Sequence, residues 1–543
     1  MLQYLPMTDV DIKTLPNDPE YLKTLLANLS SQFIEQLQDK DTQLQNKDKQ
    51  LAEYVTELRF LREQVNLLIH KRFSASSEKY KYPGQHELFD EVESSTPAEA
   101  AAISDDTDPL DECIEIAPHS RKKPGRKPLP ADLPRVEIIY DLSEEEKVCA
   151  EDGHALHKIG EEISEQLEII PAQVRVIRHI RYKYACRRCE TGITTAPMPA
   201  QVIPKSIATP GLLAYVATAK YVDSLPLYRQ STIFKRLGVE LNRATLANWM
   251  IRVAEVIAPL IELMQADLKD SAVIHMDETP VQVLREPDRP ATSKSYMWVS
   301  MSGAYDPAMV LYEYDPSRGA AVPERLLDGY QGYLVTDAYK GYASVTNQGT
   351  ITGIGCWAHV RRKFDEALKV QGKLKTGKAQ YAMNEIRKLY AIERQIQNKP
   401  PDEKQSIRQA RAGPILQKLR SWLQKSLHQV PPKTVLGKAL TYTDNEWHRL
   451  VRYIEDGELP IDNNRCENAI RPFVVGRKNW LFSNSQQGVR ASAAIYSLIE
   501  TAKHNDLEPY RYLRYVLTEL PEGEINPVEL LPYNLSPAML ADQ

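Results

Sequence analysis

Residues 271–279, SAVIHMDET, and residues 332–342, GYLVTDAYKGY, each begin with a short apolar run and reach an aspartate. The first run ends at Asp277 and the second at Asp337. Short apolar runs that are bounded by polar residues are typical of buried strands. Because the carboxyl ends of strands in an α/β sheet face the crevice where ligands bind, we expect the two carboxylates to converge there.

The segments around these two runs predict the remainder of a sheet. Residues 295–303 and 308–315 are predicted to be strands, and 318–329 a helix. Residues 352–368 are predicted to be a strand that leads into a helix. The resulting order, β-β-β-α-β-α-β-α, is that of an RNase H-like domain with helices on both faces of a mixed sheet. The predicted fold class is therefore multidomain α+β, with an RNase H-like α/β core at 270–505.

The composition indicates a globular protein whose charge is segregated. Hydrophobic residues make up 42% and charged residues 26% of the chain, which is ordinary. No run approaches the ~20 apolar residues that span a bilayer, and the N-terminus lacks a secretory pattern, so we expect a cytoplasmic protein without a membrane partner. The net charge is −5, but residues 86–118 hold eleven acids and no Lys or Arg. The remainder is basic, which suits a nucleic-acid partner.

Residues 20–72 are predicted to form one long helix. An apolar residue recurs every seven positions, at Leu37, Leu44, Leu51, Leu58 and Val65. This period favours a left-handed coiled coil and thus self-association, and the alternative is a helix packed on its own chain. The acidic segment that follows, 74–120, is poor in apolar residues and is predicted to be a disordered linker.

Residues 121–135, RKKPGRKPLPADLPR, have the pattern of a minor-groove hook. Pro124 and Pro128 favour an extended backbone, which would let Arg126 enter an A·T-rich groove. An ordinary basic linker is the alternative.

Residues 136–200 are predicted to be a small zinc-finger-like β module. Its last strand, predicted at 173–186, closes on the C-x-x-C pair Cys186 and Cys189. Such a pair supplies two thiolates to a tetrahedral, structural Zn²⁺. The other ligands would come from one upstream stretch, from Cys149 with Asp152, His154 or His157. A β module with an empty metal site is the alternative.

Residues 205–262 are predicted to form a helix-turn-helix with its turn at Gly238. The expected apolar face of the first helix is formed by Tyr228, Ile233 and Leu237. The second helix opens at 242–248, and the residues expected to reach base edges or phosphates are Arg243, Thr245 and Asn248. An ordinary helical hairpin is the alternative.

The two strand-end aspartates require a neutralising partner. Two carboxylates in a dry site repel each other unless they share a proton or bind a cation. Mg²⁺ prefers oxygen ligands and retains positions for water and phosphate. A two-metal site for an in-line displacement at phosphorus needs a further acid.

The segment 460–482, PIDNNRCENAIRPFVVGRKNWLF, offers that acid. Asn463, Glu467 and Arg471 are four residues apart and share one helix face, whereas Asp462 or Asn463 has the features of a helix N-cap. We therefore predict Glu467 as the third ligand, with Arg471 and Lys478 directed toward phosphates. The alternative is a surface Glu–Arg pair.

Four blocks together resemble bacterial transposases of the insertion sequence 66 family. They are HMDETPVQV (275–283), VTDAYKGY (335–342), GCWAHVRRKF (355–364) and DNNRCENAIRPFVVGRKNWLFS (462–483). The resemblance extends over nearly the whole chain. It implies a catalytic DDE triad at Asp277, Asp337 and Glu467, with two Mg²⁺ or Mn²⁺ ions. It also implies a helical insertion at about 365–458, a short C-terminal domain at 506–543, and accessory proteins encoded beside the transposase.

Two motifs within the resemblance leave roles open. The family's finger usually begins with C-x-x-C, but Asp152 stands at the second cysteine position, so the fourth zinc ligand is Asp152 or His154, or the metal is lost. His359, Arg361 and Arg362 are candidates for binding a scissile phosphate, and the alternative is a helix face paired with Asp365 and Glu366.

The expected function is that of a DNA transposase that binds the element's terminal inverted repeats, cleaves phosphodiester bonds and joins 3′-OH ends to target DNA. Two other functions fit parts of the pattern. One is a non-catalytic zinc and helix-turn-helix repressor, which would not need Asp277. The other is an RNase H-like nuclease that cuts DNA without joining it.

Overall fold

The computed structural model describes residues 18–73, 173–185, 193–371 and 377–540. The helices are α1 (Pro19–Phe73), α2 (Pro210–Tyr221), α3 (Leu227–Arg236), α4 (Arg243–Val256), α5 (Ala258–Lys269), α6 (Ala321–Leu326), α7 (Ala343–Thr346), α8 (Trp357–Gln371), α9 (Lys378–Ile396), α10 (Pro401–Ile407), α11 (Gly413–Leu427), α12 (Val435–Leu450), α13 (Asn464–Trp480), α14 (Gln486–His504) and α15 (Pro509–Glu522). The strands are β1 (Lys183–Ala185), β2 (Ile193–Thr195), β3 (Val273–Arg285), β4 (Lys294–Ser302), β5 (Val310–Asp315), β6 (Gly332–Val335), β7 (Ile351–Ile354) and β8 (Ser483–Ser485). Single 3₁₀ turns lie at Lys340–Tyr342, Arg452–Ile454, Pro527–Leu530, Pro532–Asn534 and Pro537–Leu540, and a π-helical turn at Arg408–Ala412.

A mixed sheet with the strand order β5-β4-β3-β6-β7 positions the candidate site. β3, β4 and β5 form an antiparallel meander, and β6 and β7 continue the sheet parallel to β3. β8 pairs with the far end of β3, where Val283 lies opposite Ser483. The predicted order of strands and helices is therefore present from β3 through α8.

Two apolar cores cover the sheet because alternate residues of each strand point to opposite faces. Leu334 of β6 belongs to one core, which also includes buried residues of α2, α4, α5, α14 and α15. The adjacent Val335 belongs to the other core, with buried residues of α8, α9, α11 and α12 such as Trp357 and Leu389. The long helical segment after β7 is thus anchored on one face of the sheet.

The helix-turn-helix hairpin is formed by α3 and α4. Gly238 adopts a φ of +84° in the turn, a conformation that side-chain-bearing residues rarely adopt. The Asn242 side chain caps α4 by accepting the Thr245 backbone N–H at 2.8 Å. The predicted second helix therefore begins where the sequence placed it.

The predicted inner face of α3 was wrong. Tyr228 is 50% and Leu237 is 40% exposed, whereas Gln230 and Phe234 are buried. Gln230 donates to the carbonyl oxygens of Val216 and Leu225 at 3.3 and 3.1 Å. A polar side chain lies inside because it satisfies two backbone acceptors, and the apolar pattern therefore pointed to the wrong face.

The predicted strand at 173–186 was also wrong over most of its length. In 173–185 only β1 is a strand, and it pairs with β2 through Lys183 and Thr195. Residues 173–182 are exposed and have no strand partner among the described residues. The zinc candidates Cys149, Asp152, His154, His157, Cys186 and Cys189 lie outside the described residues, as do 74–120, the hook-like segment 121–135 and Arg126.

The long helix predicted near the N-terminus is confirmed as α1. Its heptad-spaced apolar residues form a stripe that the other described residues do not bury. The five stripe residues Leu37, Leu44, Leu51, Leu58 and Val65 are each more than half exposed. Near its C-terminal end α1 meets α12, where Glu63 accepts the Val435 backbone N–H at 3.4 Å. That contact uses Glu63 and does not bury the stripe.

Within the described ranges, no single helix is long and apolar enough to cross a membrane. α4 and α5 meet the length and composition criteria only as a pair, with a 51° bend between them.

Candidate active site

The two predicted aspartates lie side by side at one end of the parallel strand pair. The β3–β6 pairing ends at His275 and Val335, and Asp277 and Asp337 each lie two residues further along the chain. Neighbouring strands are ~4.8 Å apart, which brings the two backbones close. The expectation that Asp277 follows the end of its strand was wrong, because β3 continues to Arg285 on its pairing with β4.

Glu467 joins this pair from the first turn of α13. Its carboxylate accepts a hydrogen bond from Arg362 Nη2 at 2.7 Å, and His359 Nδ1 lies 3.6 Å away. Further along the same helix, Asp365 pairs with Lys369 at 2.7 Å. Two of the candidate phosphate ligands therefore lie against the third predicted acid.

The electrostatics show that these carboxylates share one region. The pKa of Asp277 is raised to about 7, chiefly by burial and additionally by the negative charges of Glu278, Glu467 and Asp337. A divalent cation would relieve this repulsion, and a cluster of carboxylate oxygens is the ligand set that Mg²⁺ or Mn²⁺ prefers. The residues present therefore fit a divalent metal centre.

Asn463 connects α13 to β3 beside Asp277. Its side-chain nitrogen donates to the Met276 carbonyl oxygen at 2.9 Å, and its side-chain oxygen faces His275 Nδ1 at 2.9 Å. Since that oxygen can only accept, Nδ1 carries the proton, and burial lowers the pKa of His275 to about 4. Asn463 is itself 1% exposed.

Asp462 begins the turn that leads into α13. Its carboxylate accepts the Asn464 backbone N–H at 3.1 Å and the Tyr390 hydroxyl at 2.8 Å. Asn463 stands at the N-cap position but makes no side-chain cap. Asp462 thus accepts a backbone N–H at the start of the helix, as predicted for a cap. Its hydrogen bond from Tyr390 connects it to α9.

Glu278 organises the loop that carries Asp337. Its side chain is 2% exposed and accepts hydrogen bonds from Arg318 Nε at 2.7 Å and the Tyr342 hydroxyl at 2.6 Å. The Arg318 guanidinium stacks on Tyr339 at 3.9 Å, and the Tyr339 backbone N–H donates to Asp337 Oδ1 at 2.9 Å. A continuous chain of contacts therefore runs from Glu278 to Asp337.

Arg449 of α12 supports the same loop from the other side. It donates to Thr336 Oγ1 at 2.7 Å and to the Asp337 carbonyl oxygen at 3.3 Å. Sequence reasoning missed Glu278 and Arg449. Glu278 could have been found, because it is an acid next to Asp277 inside the block HMDETPVQV. Arg449 could not, because it lies on a helix more than 100 residues away from Asp337.

Cys356, His359 and Glu467 form a further cluster, with potential ligand atoms within 4.8 Å of one another. The Cys356 sulfur accepts the Asn463 backbone N–H at 3.2 Å, and burial raises the pKa of this thiol to about 12. The neutral thiol therefore serves as a hydrogen-bond acceptor beneath the site.

The other candidate DNA contacts lie on the surface. Arg243 and Asn248 are exposed on α4, whereas the half-buried Thr245 donates its hydroxyl to Asn242 at 3.0 Å. Arg471 and Lys478 are exposed along α13. These side chains are accessible to a ligand.

Comparison with known proteins agrees with this arrangement of elements. The sequence model described as "Transposase IS66 family" matches residues 205–491, more than half of the chain. The chain belongs to the IS66 transposase family. Three further models of the same family match this transposase: a "zinc-finger binding domain of transposase IS66" at 146–190, a "Transposase C of IS166 homeodomain" at 60–138, and an "IS66 C-terminal element" at 497–532.

Curated relatives of this IS66-family protein occur in Sinorhizobium fredii (strain NBRC 101917 / NGR234). "Uncharacterized protein y4jD" is 35% identical over 421 residues, covering 75% of this chain and 81% of that protein. "Uncharacterized protein y4qI" is 33% identical over 443 residues, covering 78% of this chain and 81% of that protein. Family membership implies divalent metal use and DNA as a partner, and the zinc-finger match contains Cys149, Cys186 and Cys189.

Proposed function

We propose that this protein is a DDE transposase in which Asp277, Asp337 and Glu467 hold the catalytic metals. It would bind the terminal inverted repeats of its element, cleave phosphodiester bonds there and join the resulting 3′-OH ends to target DNA. The observation that carries this proposal is that three acids, from β3, the loop after β6, and α13, lie near one another: the charges of Glu467 and Asp337 act on Asp277, whose pKa burial already raises.

We propose further that the catalytic core is RNase H-like, with residues 270–505 as its extent and α9–α12 inside the helical insertion. The strand order β5-β4-β3-β6-β7, with an antiparallel meander followed by two parallel strands, supports this assignment. So does the position of the two aspartates just beyond the same end of the parallel β3–β6 pairing.

Two divalent ions bound at the three acids would activate the attacking oxygen and stabilise the charge that develops at phosphorus. The chain itself positions the groups. Asn463 fixes the start of α13 against β3, and Glu278 and Arg449 fix the Asp337 loop. Arg362 and His359, beside Glu467, are placed to meet a phosphate that enters the site.

The remaining modules would supply recognition. The exposed Arg243 and Asn248 of α4 would contact the element end, together with the hook-like segment 121–135 and the finger. The exposed heptad stripe of α1 would pair two copies, since two ends must be cut together. We also propose that small accessory proteins encoded by the same element are partners of the transposase, and that it acts in the cytoplasm.

An assay on a DNA end with Mg²⁺ tests this function. The protein is expected to release a 3′-OH and join it to a second duplex, and chelation of the metal should stop both steps. Asp277→Asn should retain end binding and lose both reactions. Cleavage without joining would instead indicate a nuclease, and end binding without any metal-dependent cleavage would indicate a repressor.

A further inference from the structure

The helices after the catalytic sheet carry a concentrated positive charge. Residues 378–450 contain 14 Lys and Arg against 6 Asp and Glu, although the whole chain has a net charge of −5. Five of those six acids form ion pairs with bases of the same helices, at Glu385, Glu393, Glu403, Asp444 and Glu446. The excess of bases therefore faces solvent.

Part of this excess forms a row along α11 and the π-helical turn that leads into it. Lys418 and Lys425 of α11 and Arg411 of that turn are seven residues apart and exposed, so they lie on nearly the same side of this continuous helical segment. At 1.5 Å per residue the row spans about 21 Å, or roughly six base-pair steps of 3.4 Å. A row of this length exceeds a single phosphate group and matches a stretch of nucleic-acid backbone.

α9 forms the second wall of the same surface. Arg411 Nη2 donates to Gln395 of α9 at 2.9 Å. Lys388 and Lys418, one from each helix, both approach Glu385 at 2.8 and 3.8 Å. Glu385 is the acid between the helices, and its side chain is only 5% exposed while the two lysines are 55% and 63% exposed. A ligand would thus meet the cations and not the carboxylate.

A small cavity lies in this surface. It has a volume of about 280 Å³ and is lined by Lys388, Ala391, Ile392, Arg411 and Ile415. On the same two helices, the partly buried rings of Tyr381 and Trp422 lie 5.0 Å apart, and Lys418 Nζ lies 5.8 Å from the Tyr381 ring. The surface thus combines basic side chains with a cavity and partly buried apolar groups.

We propose that the α9–α11 face, defined by Lys388, Arg411, Lys418 and Lys425, binds the phosphate backbone of duplex DNA outside the catalytic centre. This inference rests on the proposed function, in which DNA is the substrate. α8 begins beside Glu467 and packs along α9, so the face lies on elements that continue from the active site. DNA that extends beyond the reacting phosphate would be held by charge and without sequence preference.

The test is the salt dependence of binding to a linear duplex that lacks element ends, measured without divalent metal. The variant K388Q/R411Q/K418Q should bind about tenfold more weakly, and its log Kd against log salt slope should fall by about two to three, because each lost phosphate contact removes ~0.9. The matched control R394Q/K399Q/K433Q removes three charges elsewhere in the same helical segment, one on α9 and two in the loops after α9 and α11, and should bind within about twofold of wild type. Equal slopes for the first variant and wild type would overturn the proposal.

A second variant guards against an effect through Glu385. R411Q/K425Q leaves both lysine partners of Glu385 in place and should still lower the slope by about two. A wild type that binds poly-glutamate more tightly than the duplex would assign the face to an acidic protein partner and overturn the DNA assignment. Because no metal is present, loss of cleavage in a separate assay would count against the proposed function and not against this surface.

Discussion

The side-chain oxygen of Asn463 lies 2.9 Å from Nδ1 of His275, inside the protein and one helical turn before Glu467. With its bond to the Met276 carbonyl, this contact fixes the start of α13 next to the strand residue that precedes Asp277. The distance between the first and third predicted metal ligands therefore depends on one asparagine.

Asn463→Ala is expected to raise the Mg²⁺ concentration needed for half-maximal cleavage. The change leaves His275 and the Met276 carbonyl without a buried partner, which should also cost about 1–3 kcal/mol of stability. The neighbouring Asn464→Ala is the control, because Asn464 is exposed and its side chain donates only to Asp462. A metal titration of both variants decides the matter. Reduced activity with an unchanged metal midpoint would mean that Asn463 supports folding alone.

Glu278→Gln is expected to loosen the Asp337 loop. The substitution keeps the shape of the side chain but removes the charge that binds Arg318. Because Arg318 is 40% exposed, we expect a stability loss of only about 1–2 kcal/mol, together with a lower single-turnover cleavage rate. Tyr342→Phe removes one neutral donor and should have the smaller effect on the rate. If both variants cleave at the wild-type rate, the contacts from Glu278 do not hold Asp337 in place.

The pKa of Asp277 gives a prediction about stability in the absence of metal. Its pKa in the folded state is about 7, against an ordinary value of 3.8, so the folded state binds the proton more tightly than the unfolded state. The stabilising effect of that proton is complete below pH ~4 and is lost as the pH rises through 7. Asp277→Asn should therefore be more stable than wild type by about 2–4 kcal/mol at pH 8, and nearly equal at pH 4. Thermal unfolding of both proteins in chelator measures this, and a wild type whose relative stability is independent of pH would contradict it.

The exposed stripe on α1 predicts concentration-dependent self-association. Leu51 and Leu58 are both 60% exposed, and a partner helix would bury them. Replacement of both by lysine should give a monomer in light scattering at concentrations where wild type is at least a dimer. Gln45→Lys with Asn46→Lys adds the same charge at exposed positions off the stripe and should leave the oligomer intact. A wild type that remains monomeric at all concentrations would contradict the predicted coiled coil.

Local sequence patterns predicted the order of the strands and the position of Glu467 in a helix. They did not predict the length of β3. Pro280 suggests the end of a strand, because proline cannot donate to a sheet. In the fold, β6 pairs with residues 273–275 and β8 with 283–285. Pro280 lies between these pairings, where that edge needs no donor. β3 therefore continues through Pro280 because its two partners on that edge, β6 and β8, leave a gap there.

The buried polar contacts were beyond local prediction for a related reason. Gln230 and Asn463 both occur in polar stretches, and polar residues are usually exposed. Their burial depends on carbonyl groups supplied by other elements, α2 and β3. A single sequence indicates which side chains can form such bonds, but the partners are determined by the tertiary packing.

The most direct test of the central claim compares the two acids of the segment 460–482 in one end-joining assay with Mg²⁺. Glu467→Gln keeps the size of the side chain, and Asp462→Asn does the same for an acid that contacts Tyr390 and Asn464. If Glu467 is the third metal ligand, wild type and Asp462→Asn should give joined products, and Glu467→Gln should give none while it still binds the end. Joining by Glu467→Gln at the wild-type rate would contradict the assignment of Glu467 as the third metal ligand.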